Sequence, residues 1–216
     1  TPQSAMLRSL VGSEMCIRDR ICSKSLETGC RDRSSNGRKF TKYQRNTLKI
    51  MLTALIDYES GNVHSALKAF DVISNKNSLG SVKITSDPDI ISSADKLVLP
   101  GDGAFPACKH ALERSEIFEA LKYAIFAKGT PFIGICVGMQ LMANKGFEFE
   151  PTNGFGWING EVEKIRVDDP DLKIPHMGWN KVFFKQYNDL FANIETDTRF
   201  YFVHSYLLKD FDVSSL

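Results

Sequence analysis

Gly134-Ile135-Cys136-Val137-Gly138 sets one thiol between two glycines, where a short apolar run ends and a segment able to start a helix begins. A cysteine placed so can attack an acyl carbon. The sharp strand-to-helix turn of this G-x-C-x-G elbow strains the nucleophile's backbone, and bulky neighbours would clash there. The N–H groups of the following helix favour a thiolate and are expected to lower its pKa. The Val137 N–H is then a candidate oxyanion donor for the tetrahedral adduct. The competing reading of Cys136 is a small buried hydrophobe, the usual state of a free cysteine.

Pro100-Gly101-Asp102-Gly103-Ala104-Phe105 follows another apolar run, Lys96-Leu97-Val98-Leu99. In open α/β sheets ligands bind beyond the carboxyl ends of the strands. A glycine-rich loop there can turn a second N–H, at Gly103, toward an oxyanion, although P-G-x-G is equally a tight turn. Asp102 puts a carboxylate beside that charge and opposes it unless the side chain points away. Thiol chemistry also needs a base and an acid. Among the four histidines, His64 opens a helix and His110 lies on a polar helical stretch, where solvated or capping roles suit them. His176 lies in a later segment, and His204, at a late strand, is the one fallback base.

The elements that position these groups follow from periodicity. Residues 50–56 are a near-continuous apolar run, as in a parallel strand covered on both faces. Asp57 to Asn62 is a turn, and Val63, Ala66, Leu67 and Phe70 make a helical face. Val82-Lys83-Ile84 predicts a short strand, and Lys96 to Leu99 another, with Pro100 to Gly103 as loop. Ile117, Ala120, Leu121, Ala124 and Ile125 line a helix that stops at Gly129-Thr130-Pro131. Phe132 to Ile135 is the strand before Cys136, and a helix to about Asn144 follows. Alternating strands and helices predict an α/β fold, a parallel doubly wound sheet with flanking helices. After Gly146 the pattern changes: Glu161 to Val167 alternates with period two, and Arg199 to His204 reads as a late strand. The C-terminal half is therefore expected to be more antiparallel.

Residues 1–46 are rich in Ser, Arg, Lys and Gly and show neither period, so they are read as a disordered or artefactual leader to a domain at 47–216. The run from Leu10 to Arg20 resembles a translated transposase adapter of sequencing libraries. A net charge of +1 and a pI near 7.6 give no electrostatic reason for nucleic acid or an anionic membrane as partner. No stretch approaches the roughly 20 apolar residues of a membrane span. The five cysteines are odd in number and no secretory signal is visible, so free thiols in a reducing cytoplasm are expected. Cys16, Cys22 and Cys30 lack a C-x-x-C pair and a nearby histidine, so no metal is assigned, and no cofactor.

Gly134 to Gln140 resembles the nucleophile segment of the class I (triad) glutamine amidotransferases. Ile56-Asp57-Tyr58 with Gly61 to Ser65, Pro175 to Asn180, and Tyr201 to Tyr206 are similar to further segments of that family, in the same order. Within the class they look most like the glutaminase subunits of imidazole glycerol phosphate synthases; Met139 stands where many other branches carry His. The resemblance implies a flavodoxin-like fold and a thioester at Cys136. It also implies an oxyanion hole from Val137 and Gly103 and substrate contacts at Gly101 and Gln140. It further implies a (β/α)8-barrel cyclase partner in a heterodimer, with His176, Met177, Trp179, Asn180 and Tyr201 toward the interface or ammonia path. Asp102 departs from it, since Val is commoner there. The family's base comes from a His-Pro-Glu motif, which this sequence lacks, so the chain is expected to be incomplete at its C-terminal end. The alternatives are a catalytically dead, partner-binding module and a cysteine hydrolase of similar fold; Pro175 to Asn180 disfavours the latter.

Overall fold

The computed structural model describes residues 50–59, 61–169, 171–183, 191 and 194–210. The leader assigned to 1–46 lies outside the described residues. The apolar run at 50–56 forms β1 (Leu52–Ile56), where three successive side chains, Ala54, Leu55 and Ile56, are fully buried. Burial without alternation means that both faces are covered. β2 (Ser81–Thr85), β3 (Lys96–Gly101) and β4 (Phe132–Cys136) complete a four-stranded parallel sheet in the order β2-β1-β3-β4. Parallel neighbours need crossovers. These are α1 (Val63–Asn77), α2 (Pro88–Ser93), and α3 (Phe105–Glu113) with α4 (Ile117–Lys122). A first strand lying between the second and third is the flavodoxin-like order.

Local chemistry starts the helices. The Asn62 side chain accepts from Ser65 N at 3.2 Å to cap α1, and Asp87 caps α2 ahead of Pro88. The face predicted for α1 is only partly covered: Val63 is buried, while Ala66, Leu67 and Phe70 are half-buried. α4 widens into a π-helical turn, Tyr123–Ala127, and the chain reverses at Gly129, whose φ is +70°.

Two boundaries differ from the sequence reading. β3 runs on through Pro100 and Gly101, which pair with Ile135 and Cys136 instead of forming loop. Pro100 fits because β1 pairs with β3 only as far as Val98, so its missing N–H breaks no ladder bond to β1. The helix after Cys136, α5 (Val137–Gln140), is a single turn and does not reach Asn144. Beyond it the carbonyls of Leu141 to Asn144 pair with a returning loop. Phe155 N donates to Leu141 O, Trp157 N and Ile158 N to Met142 O, Gly156 N to Ala143 O, and Gly154 N to Asn144 O.

Ala143 to Gly146 is therefore a strand, β5 (Ala143–Gly146). It joins β6 (Thr152–Asn153), β7 (Ile158–Lys164) and β10 (Tyr206–Lys209) in the order β10-β7-β5-β6. All pairs but β5–β7 are antiparallel, and Ile158, Gly160 and Val162 alternate inward along β7. β8 (His176–Lys181) and β9 (Arg199–His204) form a separate antiparallel ribbon. One apolar cluster runs from Leu97, Leu99 and Phe132 in the first sheet, through Phe105 and Met142, to Val162 and Leu208 in the second. Each such side chain contributes about 1.5–3 kcal/mol by leaving water. The continuity fixes the two sheets against each other, and the elbow lies at their junction. Among the described residues no helix is long and apolar enough to cross a membrane.

Candidate active site

Cys136 stands between β4 and α5 with φ +55° and ψ −118°. A non-glycine residue is strained there, and such strain persists only where the surroundings enforce it. The enforcement is visible at the flanking glycines. A Cβ on Gly134 would lie 2.7 Å from Gly138 O, Met139 N and Met139 Cα, and one on Gly138 would strike the Leu99 carbonyl. The one-turn helix thus lies directly against the backbones of β4 and β3, and only glycine permits it.

The Cys136 residue is exposed, unlike Cys108 behind it. Its thiol pKa is nevertheless raised. Desolvation is the largest cause, a hydrogen bond from the Val137 N–H opposes it, and Asp102, Cys108 and Glu148 add to the rise. The lowered pKa expected from the helix N-terminus is not found. A single helical turn carries little dipole, and two carboxylates plus desolvation outweigh the one N–H.

A cavity of about 210 Å³ opens beside the sulfur, lined among others by Asp102, Gly103, Val137, Gln140, Glu148 and His204. Drug-sized ligands occupy roughly 300–1,000 Å³, so this space suits an amino-acid-sized molecule. Asp102 therefore faces the same space as the thiol. Glu148, which nothing in the sequence pattern marked, arrives because its Oε2 accepts from Phe105 N at 2.8 Å, at the start of α3. Gly101 lies one step behind the cavity wall. It is buried, and a Cβ there would meet Tyr58 Oη at 2.5 Å and Gly138 N at 2.8 Å, so it supports the elbow. Gln140 is buried at the wall, and its Nε2 donates to the Tyr206 carbonyl at 3.4 Å. A second, more apolar cavity of about 410 Å³ lies on the β4 side and shares Cys136, Gln140 and His204.

Strand parity divides the remaining candidates. His176, Asn180 and His204 sit on the inner face of the β8–β9 ribbon, whereas Met177, Trp179, Tyr201 and Val203 are 60%, 66%, 53% and 55% exposed on the outer. Trp179 faces Tyr201 across the strands, ring centroids 5.6 Å apart. His204 lines the cavity, but both its ring nitrogens are engaged, Nδ1 with Tyr206 O at 2.9 Å and Nε2 with His176 Nδ1 at 3.2 Å. His64 and His110 are exposed on α1 and α3, and neither lines the cavities at Cys136. Among the described residues no group of three His, Cys, Asp or Glu side chains could hold a metal ion.

Residues 54–215 match the family described as glutamine amidotransferase class-I. The chain belongs to that family. Three relatives of this amidotransferase are each named imidazole glycerol phosphate synthase subunit HisH. The protein of Ruegeria pomeroyi is 51% identical over 157 residues, 72% of this chain and 74% of the relative. That of Cereibacter sphaeroides is 50% identical over the same shares. That of Caulobacter vibrioides is 44% identical over 156 residues, 72% of this amidotransferase and 73% of the relative.

Proposed function

We propose that this chain is the glutaminase subunit of an imidazole glycerol phosphate synthase and serves histidine biosynthesis. The observation that carries this reading is Cys136 at positive φ on a glycine-flanked elbow, opening onto a cavity of amino-acid size. The Cys136 thiolate attacks the carboxamide carbon of glutamine. The carbonyl electrons move onto oxygen, where the N–H groups of Val137 and Gly103 are the candidate donors. Collapse of the adduct breaks the C–N bond, and the nitrogen leaves as ammonia once it gains a proton. Water then cleaves the thioester to glutamate and restores the thiol. Gln140 holds the substrate from the wall, and Asp102 and Glu148 offer negative charge complementary to its α-ammonium group.

The outer face of the β8–β9 ribbon supports a docked partner. Met177, Trp179, Tyr201 and Val203 form a contiguous apolar strip, of the kind that marks interaction surfaces. In this reading the partner is the (β/α)8-barrel cyclase that consumes the ammonia, joined in a cytoplasmic heterodimer. A second reading, a partner-binding module without catalysis, is favoured by one fact. Among the described residues His204 is the histidine at the cavity, and both its ring nitrogens are already engaged.

Glutamine-dependent ammonia release, measured with and without the cyclase, tests the two. Strong dependence on the partner, lost on Cys136→Ala, is the expected result. Full activity without the cyclase would overturn the coupling. Tight cyclase binding with no ammonia release would establish the binding module instead.

A further inference from the structure

The inner face of the ribbon carries a continuous line of hydrogen bonds that ends at Gln140. The tautomers follow from its far end. The Tyr206 carbonyl has no proton to give, so His204 Nδ1, 2.9 Å away, must be the donor. His204 Nε2 is then an acceptor, and His176 Nδ1, at 3.2 Å, donates to it. His176 Nε2 is left as acceptor for the Asn180 side-chain N–H. The Tyr206 carbonyl uses its second lone pair for Gln140 Nε2 at 3.4 Å. Each donor in the line then meets one acceptor.

We propose that Asn180, His176 and His204 act as positioning residues, holding the Tyr206 carbonyl and through it the Gln140 amide in the orientation that receives substrate. This rests on the reading of Gln140 as a substrate contact. The register makes the arrangement possible: His176 lies directly opposite His204, and Asn180 is one inward step further than Gly178 on the same strand. Gln140, buried on a one-turn helix with few backbone bonds of its own, needs such an external anchor. The outer apolar strip shares the same two strands, so anything that shifts the ribbon is transmitted to the amide. Burial and the neighbouring His204 hold His176 below the ordinary imidazole range, which favours the neutral ring the line requires. His176 is the ionisable group in contact with His204, and Asp102, Cys136, Glu148 and Tyr206 line the same cavity.

The test compares two electrophiles on the full chain. A diazoketone analogue of glutamine must be held by Gln140 to react at Cys136, whereas iodoacetamide need not be. H176L, which removes the donor to His204, is expected to raise the half-saturating analogue concentration about 3- to 10-fold, the effect of one lost hydrogen bond. Its limiting inactivation rate and its iodoacetamide rate should stay within about twofold of wild type. H176N, whose amide N–H falls near the position of Nδ1, should restore analogue binding. N180A breaks only the outermost link and serves if H176L does not fold. Unchanged half-saturation in both H176L and N180A, with Q140A weakened, would overturn the positioning role. If Q140A itself is unaffected, the substrate reading of Gln140 fails, and side-chain amide NMR decides the relay separately. A Gln140 amide resonance that moves in H176L and returns in H176N supports it, and one that never moves refutes it.

Discussion

Gly134→Ala separates the geometry of the elbow from its chemistry. Gly134 has an ordinary φ, so the substitution adds only steric volume. Its Cβ would sit 2.7 Å from three backbone atoms of α5, against a floor of 3.0 Å and ordinary contact from 3.4 Å. The one-turn helix must therefore back away from β4 by about 0.3 to 0.7 Å, the differences 3.0 − 2.7 and 3.4 − 2.7. It has little freedom to slide as it does so, because Gly138 lies against the Leu99 carbonyl of the neighbouring strand β3. Overpacking of this kind costs about 1–3 kcal/mol. For a domain of this size that lowers Tm by about 2–12 °C. A misplacement of about 1 Å costs about 100-fold in rate, so scaling the logarithm with distance gives about a 4- to 25-fold loss. Calorimetry and the limiting rate of Cys136 labelling by the diazoketone analogue read the two effects. Gly129→Ala is the internal control. A Cβ there meets nothing within 4 Å, and the φ of +70° costs about 1–2 kcal/mol without touching the site. A Gly134→Ala protein with wild-type Tm and wild-type labelling would refute the argument that glycine is what lets α5 seat.

Asp102→Asn removes a charge that raises the Cys136 pKa, so the midpoint of the pH–alkylation profile should move down and labelling at pH below that midpoint should accelerate. An unmoved or raised midpoint in stopped-assay alkylation would show that Asp102 does not act on the thiol. For His176 the sign runs the other way. Its folded pKa is lowered below 6.5, so the unfolded chain binds the proton more readily, and stability is lost as pH falls from 6.5 through the folded value. Urea midpoints measured at pH 7.5 and 5.0 should differ less in His176→Asn than in wild type, and an equal difference would exclude His176 as a contributor.

The sequence by itself determined the parts whose cause is local. The period-two and period-3.6 patterns, the apolar runs at 50–56 and 96–99, and the glycines around Cys136 each record a constraint acting within a few residues, and they delivered the parallel sheet, the late strand and the elbow. Where a distant segment supplied the cause, the sequence could not report it. After Gln140 the chain runs on as a partner for residues 154–158, which donate to the carbonyls of Leu141 to Asn144, and no pattern in 137–144 encodes that capture. Glu148 reaches the cavity because it caps a helix that starts 43 residues earlier. The direction of the thiol pKa depended on desolvation and on two carboxylates brought in by other loops, where the local helix N-terminus alone argued the opposite. His176 and Met177 are neighbours in sequence, yet the ribbon turns one toward Gln140 and the other to the outer surface. Side-chain type and local period travel with the chain, whereas register, partner and field are properties of the packed molecule, and only tertiary structure decides them.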